Sequence, residues 1–479
     1  MGAFMNLGYR VLKFSILALG FLVNTLLAAQ QKIGFLEFIN LYETNSLGVK
    51  SIKANLQSLD LEHAQAELLT QPQGFVEFSK NNDKSPSLTP DFSGLSRYGS
   101  QFRVGLQSQQ SFGLKHKLYF ITENQGFERA VSLSEQNKNM TRLGVAVELE
   151  LPIWKNGFGE NLKYQKESLL KLAKSQELKN QFELLAKKID AEKIYIEYAY
   201  LQSSMEIQKL LVDQGERLLA WVKRQYKDRL LEEVHVAQAE AALESRKLGM
   251  LSKELKQKNI LLKLKSLLPE YIEKNFIAEN IDEIEKYLFL KNITEERKDI
   301  LALQESIFAE TANIYLQKES LKPELNFNFQ FISYKKIHNT DNLTNCQGLT
   351  NCSLIGATLS FVVPLDFSTV QLAQNAAQDR IHSLKLNLSQ EILNSKSEFE
   401  ILRQQNDSLD KQILSLKDLI KIHENRLEFE RARQRRGRAT TFDLINSEQD
   451  LSESKDRLVE AKSARLAVLS QYKLYEVLP

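Results

Sequence analysis

One stretch of alternating apolar residues occurs twice, and each copy opens into a very long helical pattern. The first copy is Leu143-Gly-Val-Ala-Val-Glu-Leu-Glu-Leu-Pro-Ile-Trp154; the second is Ile355-Gly-Ala-Thr-Leu-Ser-Phe-Val-Val-Pro-Leu-Asp366. In both, a Gly precedes a Pro by eight residues. Side chains two apart on a strand share a face. Leu143, Val145, Val147, Leu149 and Leu151 therefore oppose Gly144, Ala146, Glu148 and Glu150, and Ile355, Ala357, Leu359, Phe361 and Val363 oppose Gly356, Thr358, Ser360 and Val362. One face is oily and the other mostly small or polar. The repetition predicts two tandem halves, each a strand pair carried on long helices.

Only 19 Gly and 8 Pro interrupt 479 residues, which favours long, unbroken elements. A hydrophobic content of 43% beside 26% charged residues excludes a bundle of apolar membrane helices. It does not exclude a membrane β-barrel, whose strands alternate. A net charge of +2 points to no polyanionic partner, nucleic acid included. At the N-terminus Arg10 and Lys13 precede the apolar run Phe14 to Leu27, and Ala28-Ala29 offers a small-residue cleavage site. Residues 1–29 thus read as a secretory signal peptide, so the mature chain is exported.

Residues 33–69 carry a helical pattern, and 71–99 collect Pro, Asn, Ser and Gly as a link. Phe102, Val104 and Leu106 alternate as a first strand, and a polar stretch containing Tyr119 and Phe120 reads as a long outer connection to the strand at Leu143. The first repeat, 30–268, then comprises a helix, the strand pair 101–153 and a helical hairpin over 160–267 that turns near Lys227–Glu233. A less periodic linker, 269–296, leads to the second repeat, 297–479, with a helix ending at Pro323, the strand pair 325–365 and a hairpin over 370–475. Leu388, Ile392, Phe399, Leu402, Leu409, Ile413, Leu416, Ile420 and Leu427 hold a heptad register, with Ser395, Asn406 and His423 on the same seam.

Four strands cannot close a barrel, and an open sheet in lipid leaves edge backbone groups without partners. Three copies pooling four strands each give twelve, an even number in the barrel range. Lipid then covers Leu143, Val145, Leu325, Phe327, Leu359 and Phe361, while Gly144, Glu148, Asn326, Asn328, Thr358 and Ser360 face water. Tyr98, Tyr119, Trp154, Tyr334 and Phe367 are candidates for an interfacial aromatic belt.

Three stretches carry a resemblance. They are the strand-to-helix junctions Leu151-Pro152-Ile-Trp154 with Gly157 and Val363-Pro364-Leu-Asp366; Arg297-Lys-Asp-Ile-Leu-Ala-Leu-Gln304 leading to Lys322-Pro-Glu-Leu325; and Arg436-Gly-Arg-Ala-Thr-Thr-Phe-Asp-Leu-Ile-Asn446. The last is the most specific. Together they make the mature chain resemble the TolC-like outer-membrane efflux proteins. The resemblance implies a mainly α-helical protein with a membrane β-barrel: a homotrimer with a 12-strand barrel in outer-membrane lipid and an α-helical periplasmic tunnel. It also implies docking to a periplasmic adaptor and to an inner-membrane pump or ABC exporter, for efflux or type I secretion, with no enzymatic activity, cofactor or metal.

By the same resemblance Asp443 lines a constriction, with Asn446 one helical turn on where a second carboxylate is expected. Arg436, Gly437, Arg438, Ala439 and Thr440 belong to the docking turn of the second repeat, and Arg229 and Leu230 to that of the first, where Arg229 replaces the expected Gly. Asp443 also suits a plain helix N-terminus, where a carboxylate favours the helix dipole. The run from Arg431 to Arg438 suits a solvated face as well as a docking one. Cys346 and Cys352 enclose a short polar loop and, in an exported chain, are expected to pair. Six scattered His and the lack of a phosphate loop or metal-ligand spacing speak against an enzyme. The rival from another class is a periplasmic coiled-coil structural or adaptor protein without a pore.

Overall fold

The protein is described from a computed structural model covering residues 32–83, 96–128, 139–272, 276–288, 297–337, 353–436, 438 and 440–475. The expected signal peptide, Cys346, Cys352, Gly437 and Ala439 lie outside these residues. In chain order the elements are α1 Phe35–Asn45, α2 Leu47–Ser58, α3 Asp60–Leu68, β1 Gln73–Asp83, β2 Ser96–Gln109, β3 Lys115–Glu128, β4 Asn139–Pro152, α4 Glu160–Lys227 and α5 Glu233–Leu267. There follow α6 Ile281–Ile284, α7 Lys298–Ser320, β5 Glu324–Ile337, β6 Ser353–Val362, α8 Phe367–Arg435 and α9 Thr441–Tyr472. Among the described residues no helix is long and apolar enough to cross a membrane.

The chain divides into two compact units, one of Leu56–Lys179 with Asp299–Glu391, the other of Met1–Asn55, Asn180–Lys298 and Ile392–Pro479. The first holds the sheet. Its six strands lie in sequence order, β1-β2-β3-β4-β5-β6, every neighbour antiparallel. The sequence led us to expect four. The link over 71–99 contains β1, and the presumed outer connection contains β3, which follows β2 through a tight turn closed by hydrogen bonds between Gln110 and Leu114 and between Gly113 and Gln110. The strand pair placed at 101–153 is therefore part of a four-strand meander. Three such chains would pool eighteen strands rather than twelve.

The second unit is helical. Its largest core is organised by Tyr195 and Tyr198 of α4, which pack against Phe35, Phe38 and Phe276. Their hydroxyls are satisfied by backbone: Tyr195 donates to the Ile33 carbonyl at 2.7 Å and accepts from the Glu279 amide at 2.9 Å, and Tyr198 donates to the Phe276 carbonyl at 2.8 Å. Burial pushes both phenols up from their ordinary pKa. The segment the sequence presents as a linker is thus pinned into the core.

The heptad of α8 finds its partner within the same chain. Ile413 and Leu416 pack with Leu458 and Ala461 of α9, Leu427 packs with Leu444, and Phe399 meets the rings of Tyr472 and Tyr475. Ser395, one of three polar residues on the seam, is buried beside Tyr475, whose hydroxyl donates to its carbonyl at 3.1 Å.

Four helices converge on Arg246 of α5. Its guanidinium donates to Glu448 of α9 at 3.2 Å and to the Leu211 carbonyl of α4 at 3.1 Å; both charged side chains are about 95% shielded, at 3% and 5% exposure. Glu448 also accepts from Arg431 of α8 at 3.3 Å. Removing one member of such a buried pair strands the other charge and costs about 3–5 kcal/mol, whereas replacing both by apolar residues is often neutral. Arg246→Met should therefore lower the thermal midpoint of the helical signal in circular dichroism. The double variant Arg246→Met/Glu448→Leu should recover most of the loss.

Candidate conduit surfaces

The register shows why the sheet has two unlike faces. Gly74, Leu106, Leu118, Val147, Phe331 and Ile355 form one continuous cross-strand row, and Val76, Val104, Phe120 and Val145 the next. This face is apolar across all six strands and open to the surroundings, with Val76 69%, Phe120 62% and Leu359 65% exposed. A contiguous oily surface of this kind marks an interaction site or a lipid contact.

The opposite face is polar and internally paired. Glu123 accepts from Gln101 at 2.6 Å and lies 3.8 Å from Arg142; Arg103 donates to Gln101 at 2.9 Å and lies 3.7 Å from Glu77. Lys115 meets Glu150 at 2.9 Å, and Glu148 accepts from Tyr119 at 2.5 Å and Gln330 at 2.9 Å. Glu148, Asn326, Asn328, Thr358 and Ser360 share this face, as the alternation predicts. So do Tyr119, which is fully buried over Gly105, and Tyr334, which lies under the Arg142 guanidinium, so neither belongs to an outward belt. A Cβ at Gly105 would come within 2.4 Å of that of Tyr119. Only glycine fits there, where the neighbouring backbone and the Tyr119 side chain approach closely.

At the helix-proximal end β4 finishes at Pro152, and the Ile153 amide still donates to the Leu325 carbonyl at 2.7 Å. Trp154, Phe158 and Phe367 are exposed there, and Trp154 stacks on Phe361 at 6.3 Å. The turn that follows is left-handed at Asn156 and Phe158, with φ of 66° and 54°, and at Gly159, with φ of 81°. Asn156 Oδ1 accepts from the Asn161 amide at 2.9 Å, capping α4. The sequence singled out Gly157, yet a Cβ there would meet nothing within 4 Å. The position that requires glycine is Gly159, where a Cβ would approach the Ser111 carbonyl oxygen to 2.2 Å and the Gly113 amide to 2.8 Å. At the second junction, beyond Pro364, Asp366 caps α8. Hydrogen bonds from the Ser368 and Thr369 side chains, then from their amides, hold its carboxyl down at about 2.

In the helical unit both turns that the resemblance assigns to docking are built by local bonds. Arg229 takes the left-handed conformation, φ 58°, that ends α4, and the Leu230 amide reaches back to the Gln225 carbonyl at 2.9 Å. Arginine occupies the place where glycine is favoured. Leu230 is 68% exposed. In the second turn the Arg438 amide donates to the Arg433 carbonyl at 2.9 Å, and Arg433 returns a bond to the Arg438 carbonyl at 3.1 Å. Thr440 then opens α9 with a capping box: its hydroxyl oxygen accepts from the Asp443 amide at 3.1 Å, and its own amide donates to Asp443 Oδ2 at 3.2 Å. Asp443 and Asn446 lie on the half-exposed side of this first turn, whereas Leu444, Ser447 and Glu448 are buried. The capping reading of Asp443 is thus realised within the chain. Arg431 and Arg433 pair with Glu448 and Glu430, so part of the arginine run is structural.

No model of a protein family matches the sequence, and no curated protein does. Solved structures do match. The crystal structure of CusC, described in terms of folding and transmembrane channel formation, superposes with a TM-score of 0.66 at 14% identity, covering 92% of each chain. The Campylobacter jejuni CmeC outer membrane channel gives 0.65 at 14% identity over 92% of this chain and 85% of that one. The Vibrio cholerae outer membrane protein VceC gives 0.64 at 12% identity over 92% and 95%. The chain has the fold of these outer-membrane channels.

Three substitutions check the local geometry. Gly159→Ala combines left-handed strain with a backbone clash and should cost on the order of 3 kcal/mol or more, seen as loss of heat-resistant protein, while Gly157→Ala remains near wild type. Arg229→Gly should raise the melting temperature, by a net ~0.5–1 kcal/mol, because it removes the left-handed penalty of a residue with a Cβ.

Proposed function

We propose that the protein is an outer-membrane conduit: a homotrimer whose sheets join into a shared barrel and whose helices form a periplasmic tunnel. It passes cargo without transforming it, docking to a periplasmic adaptor and to an inner-membrane pump or ABC exporter. The observation that carries this reading is the sheet itself, apolar and exposed on one face, polar and cross-linked on the other, with β1 and β6 left as edges. Backbone edges are not tolerated against hydrocarbon, so the sheet needs further copies to serve in a membrane. The fold shared with outer-membrane channels supports the same location. A periplasmic coiled-coil protein without a pore has no use for so large an oily face.

In this reading the turns at Arg229–Leu230 and Arg436–Thr440 contact the adaptor. Asp443, with Asn446 beside it, gives each copy one carboxylate at a constriction, and three copies form a ring that favours cations. The division into two tandem repeats, 30–268 and 297–479 about the 269–296 segment, and a Cys346–Cys352 disulfide belong to the same proposal.

The mass of the native particle extracted in detergent from outer-membrane fractions tests the reading directly. Three copies are expected; a monomer, or absence from that fraction, would sink it. The Asp443 ring has a pH signature. Hydrogen bonds from the Thr440 hydroxyl and amide hold its carboxyl below the ordinary 3.8. A depressed folded value means that the charge and its capping contribution are complete above the ordinary range and vanish as pH falls through the lower value. Cation selectivity in planar bilayers should hold from neutral pH down to about 4 and collapse only below, and Asp443→Ala should lose it at every pH.

A further inference from the structure

Resting on the conduit reading, we infer that β1 and β2 are barrel wall, so that the trimeric barrel has eighteen strands and a lumen about half again as wide as a twelve-strand one. Three observations place the hairpin in the wall. Its register continues without a break: β1 pairs with β2 from Gln73–Gln107 to Asp83–Arg97, and β2 with β3 from Ser96–Glu128 to Gln109–Lys115. Its oily residues, Val76, Phe78, Phe102, Val104 and Leu106, share the face of Leu118, Phe120 and Val145 and are themselves exposed. Its polar side joins the inner network, through Glu77 with Arg103 and Gln101 with Glu123. A hairpin lying outside the wall would have no reason to keep both alternations in phase.

Closure follows from direction and length. Six alternating strands put β6 of one copy and β1 of the next antiparallel, which is how membrane barrels close. The two edge strands hold 10 and 11 residues, matching the roughly 9–11 needed to cross the hydrocarbon at a tilt. With strands about 4.8 Å apart and tilted about 40°, eighteen give a backbone diameter of roughly 36 Å against roughly 24 Å for twelve. Such a bore admits bulky cargo, an extended polypeptide or a large amphiphile, without the barrel acting as the size filter.

Cryo-electron microscopy of the full-length particle in nanodiscs, sectioned through the sheet, reads the strand number. Eighteen strands from three copies are expected. Twelve strands formed by β3–β6 of three copies, with the hairpin outside, or twelve from two copies, would overturn the inference while leaving a conduit; a particle with no ring would instead overturn the conduit. Cysteine cross-linking gives a second readout in a chain with Cys346 and Cys352 replaced by Ser. Thr358→Cys on β6 combined with each inward β1 position, Phe75→Cys, Glu77→Cys or Ser79→Cys, should yield an oxidant-dependent ladder ending at three copies for at least one pair. Cross-linking of Thr358→Cys to Lys117→Cys on β3 instead would place β3 at the seam and refute the assignment.

Discussion

In the proposed conduit, everything in the sheet-bearing unit depends on one requirement: a peptide group surrounded by hydrocarbon must find its hydrogen-bond partner on a neighbouring strand. Each unmet group costs several kcal/mol, so a strand edge of about ten residues is far more expensive than any side-chain contact can offset. Five of the interfaces between strands are satisfied inside the chain. The sixth, between β6 and β1, is not. The oily outer face, the paired polar inner face and the even number of alternating strands are all consistent with meeting that last requirement through another copy.

The helical unit obeys a different rule. Its surfaces are charged, and beside its apolar seams buried polar groups paired across helices add specificity. Arg246 ties α4, α5 and α9 together, and Glu448 brings in α8 through Arg431. Asp456 repeats the theme, accepting from Ser204 of α4 and from Lys253 of α5. Such groups fix the register of long helices that hydrophobic contacts alone would let slide.

The alternation at Leu143–Leu151 and Leu325–Phe331, the long hairpins and their turns were legible because period and length are written directly in the residues. Strand β1, unlike β2, was not, since Asn81, Asn82 and the Pro and Ser that follow read as punctuation, and only Phe75, Val76 and Phe78 signal a strand. β3 was obscured because Lys115, Lys117, Glu123 and Asn124 look like loop until their cross-strand partners are known. Tyr119 could not be assigned a face without the register. Arg246 gave a faint signal, a lone arginine in an alanine-rich helix, but its partner lies 202 residues away. Gly157 lies at the junction as expected, but the residues alone do not mark Gly159 beside it as the one that must be glycine, because conformation, not composition, distinguishes the two.

The open edges also govern how such a molecule comes into being. A chain that completes its own barrel can fold at a rate independent of its abundance, but in the proposed trimer the final strand pairing is an encounter between molecules. Until it occurs, a chain exported as proposed would carry an uncovered apolar sheet through an aqueous compartment, and competing self-association would rise with concentration. Under that proposal expression level acts on yield in two opposing directions, speeding productive assembly and aggregation alike, and a holding chaperone would gain its leverage in the interval between them.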